Sequence, residues 1–465
     1  MKRLTSLFLL LLYVGWLTAP LSAQKADKQT SLPPEQLLRA GPMLGYSTLR
    51  EVVIWVQTWE PAAVQILYRK VGEPEDSTRA TPVYYTYGEF DYIAQIPISY
   101  LTPGTTYEYE LVIEDTIIEL PYPLRFQTQP LWQWRTDPPT FTVAVGSCLY
   151  INDPPFDRPG SPYGGHYNIL THIAQRNPDL MIWLGDNTYL READFDSPAM
   201  MSYRYAHTRQ IPELQPLLAR VHHYAIWDDH DYGPNDADRS YTFKGASLMN
   251  FQRYWANPTY GLPGVPGVFT KFTWGDVDFF LLDDRYYRSP NRAPETPEKT
   301  MWGEEQLNWL IDALTYSRAP FKIIANGNQI LNAHTRFESL AARFPFEKEK
   351  LLRALIERKI EGVVFLTGDR HLTELLKVQP EGFYPLYEYT NSPLTSGPSR
   401  RAEPNPDRVE GTLVVGKRNF GLLTFSGPRT DRVLTITTID ENNQVLWEYT
   451  IRARDLKIPR ADSDQ

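Results

Sequence analysis

The chain predicts an α/β domain preceded by a smaller all-β module, and three observations carry that prediction. Short apolar runs at 141–145, 180–184, 224–227 and 363–367 alternate with amphipathic stretches of helical period, the pattern of a sheet covered on both faces. Upstream, between residues 41 and 128, helical period gives way to short alternating runs separated by turn residues, the pattern of a β-sandwich. Each apolar run of the α/β part also stops at a knot of Cys, Asp, Tyr or His. In an open α/β sheet, the carboxyl ends of the strands are where ligands bind.

In chain order, Lys2 and Arg3, the apolar stretch 7–17 and Leu21-Ser22-Ala23 read as a secretory signal over residues 1–23, cut before Gln24. The stretch is short of the ~20 apolar residues that a bilayer span needs. No later segment is long enough, so no transmembrane segment is expected once the signal is removed. Gln24, not a cysteine, directly follows the cut, which excludes lipid attachment, and the signal has no twin-Arg pair. The protein is therefore expected outside the cytoplasm: secreted, periplasmic or on the cell surface.

After a polar leader at 24–34, the sandwich is assigned to 40–130, with strands at 52–56, 64–68, 93–96 and 107–112. Its turn at 101–107, leading into a Tyr-bearing strand, is similar to that of fibronectin type III-like sandwiches. The Trp- and Pro-rich stretch 130–139 reads as a linker, and the α/β domain as 140–455. Helices at 165–176, 213–221, 303–316 and 346–359 precede strands at 180–184, 224–227, 321–325 and 362–366. In the third helix Leu307, Leu310, Ile311 and Leu314 fall on one face, and in the fourth Leu351, Leu352, Leu355 and Ile356 do. Residues 269–282 alternate as a hairpin turning at Gly275-Asp276. A β tail occupies 420–425, 433–439 and 445–451.

Composition narrows the function. A net charge of −9 with no basic stripe argues against a nucleic-acid partner. An acidic protein still binds a phosphate ester where bound cations set the local field. The single cysteine, Cys148, rules out an internal disulfide. It reads either as a small buried hydrophobe or as a metal ligand. As a ligand it would be protected from oxidation outside the cell.

The strand ends carry the chemistry. They are Gly146-Ser147-Cys148, Gly185-Asp186-Asn187-Thr188-Tyr189, Asp228-Asp229-His230-Asp231, Asp283-Asp284-Arg285-Tyr286-Tyr287-Arg288 and Gly368-Asp369-Arg370-His371. Taken singly, Gly-Asp after a strand is a common turn, Tyr189 a packing residue, and Asp369-Arg370 a solvated pair. Asp228 to Asp231 resist that reading, because three carboxylates around a histidine repel unless a cation neutralises them. The other histidines, 166, 172, 207, 222, 223 and 334, read as structural.

This ordered series resembles the PhoD-type alkaline phosphatase/phosphodiesterase family of the calcineurin-like metallophosphoesterases, over residues 141 to about 391. The resemblance implies a four-layer α/β/β/α domain with two packed mixed sheets. It implies Fe3+ held by Cys148, Asp186, Tyr189 and His371. It also implies Ca2+ sharing Asp186 and held by Asp229, Asp369 and Asn235, with other divalent metals as alternatives. Thiolate, phenolate and imidazole suit iron, and carboxylate and amide oxygens suit calcium. His230 would stabilise the transition state or protonate the leaving oxygen, with Asp228 accepting an imidazole N–H. Arg285 and Arg288 would bind substrate phosphate or pair with Asp283 and Asp284.

The activity implied is hydrolysis of phosphate monoesters and/or diesters by a hydroxide generated on the metals. A phospholipase-like diesterase acting on lipid headgroups shares that core. A non-catalytic surface protein with a degenerate site is the alternative outside enzymes.

Overall fold

The computed structural model describes residues 31–459, so the signal expected at 1–23 lies outside them. Two mixed sheets pack face to face with helices on their outer sides, the four-layer arrangement expected. The longer sheet runs Val445–Arg452, Val433–Asp440, Asn419–Ser426, Phe141–Gly146, Leu180–Leu184, His222–Ile226, Leu38–Ser47, Val52–Thr58, Ile93–Ile98. The shorter runs Thr270–Trp274, Val277–Leu281, Phe321–Asn326, Val363–Thr367, Leu386–Thr390, Glu374–Val378.

The strand period of two sorts side chains between layers. Val143, Val145, Ile182, Leu184, Tyr224 and Ile226 enter the core between the sheets, against Phe279, Leu281, Ile323 and Val364. Their neighbours Ala144, Met181, Trp183 and Ala225 face outward. There they pack under the helices Asn168–Gln175, Pro198–Arg209, Gln215–Arg220 and Lys244–Tyr254. These strands are buried on both faces, which is why they read as nearly continuous apolar runs.

Parallel pairing in register brings the strand ends level. Gly146 lies beside Trp183, and Leu184 beside Ile226. In the other sheet Asn326, Thr367 and Thr390 line up. The loops of both sheets therefore gather along one edge. Gly368 shows how closely they meet: a Cβ there would come within 2.7 Å of the Leu184 carbonyl oxygen and of Ser147 Cβ.

The amino-terminal β region differs from a module on a free linker. Its second layer (Ala63–Lys70, Thr106–Ile113 and short strands) packs on strands that belong to the long sheet itself. Leu38–Ser47 pairs antiparallel with Val52–Thr58 and parallel with His222–Ile226, where Leu44 meets His222. The α/β sheet thus covers an edge that would otherwise offer unpaired backbone groups. The His222 ring closes the seam, with Nδ1 2.8 Å from the Gly45 carbonyl and Nε2 3.1 Å from that of Gln127.

Candidate metal centre

Cys148, Asp186, Tyr189 and His371 come together from three strand ends. Cys148 Sγ lies 3.5 Å from Asp186 Oδ2, and the Tyr189 hydroxyl donates to that same oxygen at 3.1 Å. His371 Nε2 lies 3.3 Å from the Tyr189 hydroxyl. The carbonyl of Gly397, which can only accept, sits 2.8 Å from His371 Nδ1. That bond puts the ring hydrogen on Nδ1 and leaves the Nε2 lone pair facing the cluster. Cys148, Asp186, Asp369 and His371 all have positive φ, at 60°, 52°, 65° and 52°. Side-chain-bearing residues adopt this conformation at a cost of about 1 kcal/mol or more each, and such strain gathers at functional sites.

Three acidic clusters adjoin one another, each with potential ligand atoms within 4.8 Å: Cys148/Asp186/His371, Asp186/Asp229/His230 and Asp229/Asp236/Glu338. Asp186 links the first to the second, and Asp229 the second to the third. Burial pushes Asp186 well above the usual carboxylate range, reinforced by Cys148 and Asp229. Burial likewise raises Asp369 to about 7 and the Cys148 thiol to about 11. For Asp229 burial acts upward too, but His230 and Arg285 outweigh it and hold this acid low. So many anionic donors this close together fit cations that neutralise them. His230 stacks on the Tyr189 ring at 4.3 Å, and its buried Nδ1 has no hydrogen-bond partner among the described residues.

The structure departs from the sequence expectations in several places. Arg285 and Arg288 are fully buried rather than offered to substrate. Of the pairings expected with Asp283 and Asp284, the structure shows Arg285 with Asp284, Nε to Oδ1 3.9 Å. Arg285 is bonded to Asp228 (Nε–Oδ1 2.6 Å) and Glu338 (2.7 Å), and Arg288 to Glu338 (2.8 Å). Asp283 instead accepts from Trp227 Nε1 and three backbone N–H groups. Asp228 is occupied by Arg285 and by Asn328 Nδ2 at 3.1 Å, so it does not accept from the His230 ring. Asn235 is exposed, and its amide donates to Asp236 at 2.8 Å; Asp236 contributes to the third cluster. The Asp369 carboxyl belongs to none of the three clusters, although its carbonyl oxygen lies 3.6 Å from Cys148 Sγ. Sequence reasoning missed Glu338, Asp236 and Ser392, which lie in loops without a motif of their own.

A two-sheet, four-layer fold with such a donor set at its strand ends defines the metallophosphoesterase class. Among solved structures, that of PhoD superposes with a TM-score of 0.71 at 18% identity, covering 92% of this chain and 94% of that one. A purple acid phosphatase from yellow lupin (Lupinus luteus) seeds gives 0.64 at 14% identity, covering 91% and 77%. A PhoD-like phosphatase family model matches residues 144–426, and a domain-of-unknown-function model, DUF7800, matches 35–130. The chain belongs to the PhoD-like phosphatase family. Alkaline phosphatase D of Bacillus subtilis (strain 168) is 25% identical over 309 residues, 54% of this chain and 51% of the relative, so the match spans about half of that protein's length. No helix of the described residues is long and apolar enough to cross a membrane.

Proposed function

We propose that this protein is an exported, metal-dependent phosphoesterase that hydrolyses phosphate monoesters and/or diesters. The observation that carries the reading is the convergence of Cys148, Asp186, Tyr189, Asp229 and His371 from four strand ends into adjoining clusters around the Asp186 carboxylate. Cys148, Asp186, Tyr189 and His371 would hold Fe3+. Asp186 would also serve a second cation, Ca2+ or another divalent metal, together with Asp229, Asp369 and the Asn235–Asp236 loop. Bound there, the cations would offset the acids' charge, polarise the phosphoryl group and make water nucleophilic at mild pH.

The chain's own residues do the rest. His230 stands beside Asp186 and Asp229 with an unpaired ring nitrogen, placed to hydrogen-bond a phosphoryl or leaving oxygen. Asp228, Arg285 and Glu338 form a buried brace under the Asp229 turn rather than touching substrate. Asp231 accepts from the backbone N–H groups of Asn187 and Thr188, locking the Asp186 loop to the His230 turn.

Two variants test the reading. Asp186→Ala is expected to lose bound metal. His230→Ala is expected to keep metal while hydrolysis of an aryl phosphate monoester and of its bis-aryl diester falls about a hundredfold or more. Metal-replete wild-type protein that turns over neither ester, nor a phosphatidyl lipid, would instead support a non-catalytic role. Detection of the protein outside the cytoplasm checks export.

A further inference from the structure

Arg191 is a buried cation beside the metal centre. It follows Tyr189 by two residues and is only 4% exposed. No carboxylate among the described residues comes within ion-pair distance of it. The buried arginines 204, 285, 288, 370 and 432 each have such a partner, and Arg209, which has none, gives a terminal nitrogen to the Tyr254 carbonyl at 2.9 Å. Its Nε donates to the Tyr150 hydroxyl at 3.2 Å, while its two terminal nitrogens hydrogen-bond no described residue. The guanidinium carbon lies 4.6 Å from the Tyr150 ring centre, 5.2 Å from Tyr189 and 5.7 Å from Tyr163. Those rings belong to the centre: Tyr189 bonds Asp186, and the Tyr163 hydroxyl lies 3.3 Å from His371 Nδ1.

A mostly buried guanidinium without a carboxylate partner is costly unless something anionic meets it. Aromatic faces relieve part of that cost through cation–π attraction, but they leave the N–H fork unbonded. A fork of that shape matches two oxygens of a phosphoryl group.

We propose that Arg191 receives the phosphoryl oxygens of the substrate and biases the enzyme towards phosphate monoesters. The proposal rests on the phosphoesterase reading above. A monoester presents a dianion with three non-bridging oxygens, whereas a diester presents a monoanion with two. A guanidinium at the site therefore favours the monoester in both charge and hydrogen-bond number.

The experiment compares metal-replete wild type with Arg191→Met, which keeps bulk against the rings, and Arg191→Lys, which keeps charge without the fork. Metal content and melting temperature establish that each variant is folded and loaded. Binding of inorganic phosphate is then measured directly, alongside kcat/KM for an aryl monoester and its bis-aryl diester. Arg191→Met is expected to weaken phosphate binding about tenfold or more, the loss of a charge-assisted bond. It should also lower kcat/KM for the monoester by a larger factor than for the diester. Arg191→Lys should fall between the two, and it decides the question if the methionine variant does not fold. Wild-type phosphate affinity in a folded, metal-replete variant would overturn the proposal and make Arg191 a packing residue of the tyrosine cluster. Equal losses on both esters would remove the monoester bias. Wild-type protein that binds phosphate through Arg191 yet hydrolyses neither ester would uphold the anion site and end the phosphoesterase reading instead.

Discussion

Ser392 shows how much of this centre depends on single hydrogen atoms. Its Oγ accepts from the His371 backbone N–H at 3.0 Å and lies 3.1 Å from Cys148 Sγ, so its one hydrogen is directed at the sulfur. Ser147 is also near, at 3.5 Å, but its hydroxyl donates to the Asn391 carbonyl at 2.9 Å. A donor to a metal-bound thiolate lowers the energy of the sulfur electrons and so tunes the metal–sulfur bond. In protein reconstituted with cobalt(II), Ser392→Ala should move the sulfur-to-cobalt charge-transfer band to longer wavelength. Ser392→Thr should restore it, and Ser147→Ala should leave it in place. A band unmoved in Ser392→Ala would deny the serine this role, and no sulfur band in wild type would deny Cys148 its place as a ligand. At this scale, Cys148, Asp186, Tyr189, Asp229, His230 and His371 were legible because each lies within a few residues of an apolar run. Ser392, Glu338 and Arg191 were not, since what distinguishes them is a partner, or the lack of one, that only the folded chain supplies.

Elements were legible where burial was purely apolar. The strands Leu180–Leu184 and Val363–Thr367 and the helices Glu304–Tyr316 and Pro345–Glu357 announce themselves by period. The helix Pro198–Arg209 does not, because Arg204, Thr208 and Arg209 are among its buried residues. Lys244–Tyr254 similarly buries Ser247 and Asn250. The strands Glu374–Val378 and Leu386–Thr390 are masked by the buried glutamates 374 and 388. Polar residues on a buried face erase the apolar pattern while tertiary partners satisfy them. The continuity of the amino-terminal strands with the α/β sheet was hidden for a related reason: it turns on His222, a polar residue holding carbonyls from two other strands. Burial pushes this histidine down to about 4, so at neutral pH it is uncharged and donates one hydrogen at a time. His222→Ala should cost about 2–3 kcal/mol, from a lost buried hydrogen bond and lost packing against Trp274. A denaturant titration showing a lower midpoint at constant slope would bear this out. A change below about 0.5 kcal/mol would mean the seam holds without the ring.

For the molecule as a whole, acid stability follows from the neighbouring His223, which ties two strands and a helix together. Trp183 Nε1, which can only donate, gives its hydrogen to His223 Nδ1 at 3.0 Å. Nε2 must then carry the ring's own hydrogen, directed at the Leu217 carbonyl 3.1 Å away. Both nitrogens are satisfied in the neutral form, and a second proton would put N–H against N–H at Trp183. Burial accordingly pushes the pKa down from the ordinary 6.5 to about 3. Below pH 6.5 the unfolded chain takes up a proton at this position that the folded chain refuses. This contribution is therefore fully present above pH 6.5 and is lost as the pH falls towards 3, at about 1.4 kcal/mol per unit. Between pH 7 and pH 5 the loss amounts to about 2 kcal/mol. His223→Gln removes the titrating group, so the variant, less stable at pH 7, should lose about 2 kcal/mol less than wild type on going to pH 5. Equal losses in the two proteins, measured by denaturant unfolding at both pH values, would place the acid-labile group elsewhere. A smaller loss in the variant would show this satisfied imidazole contributing its share to the acid limit of a fold whose layers it joins.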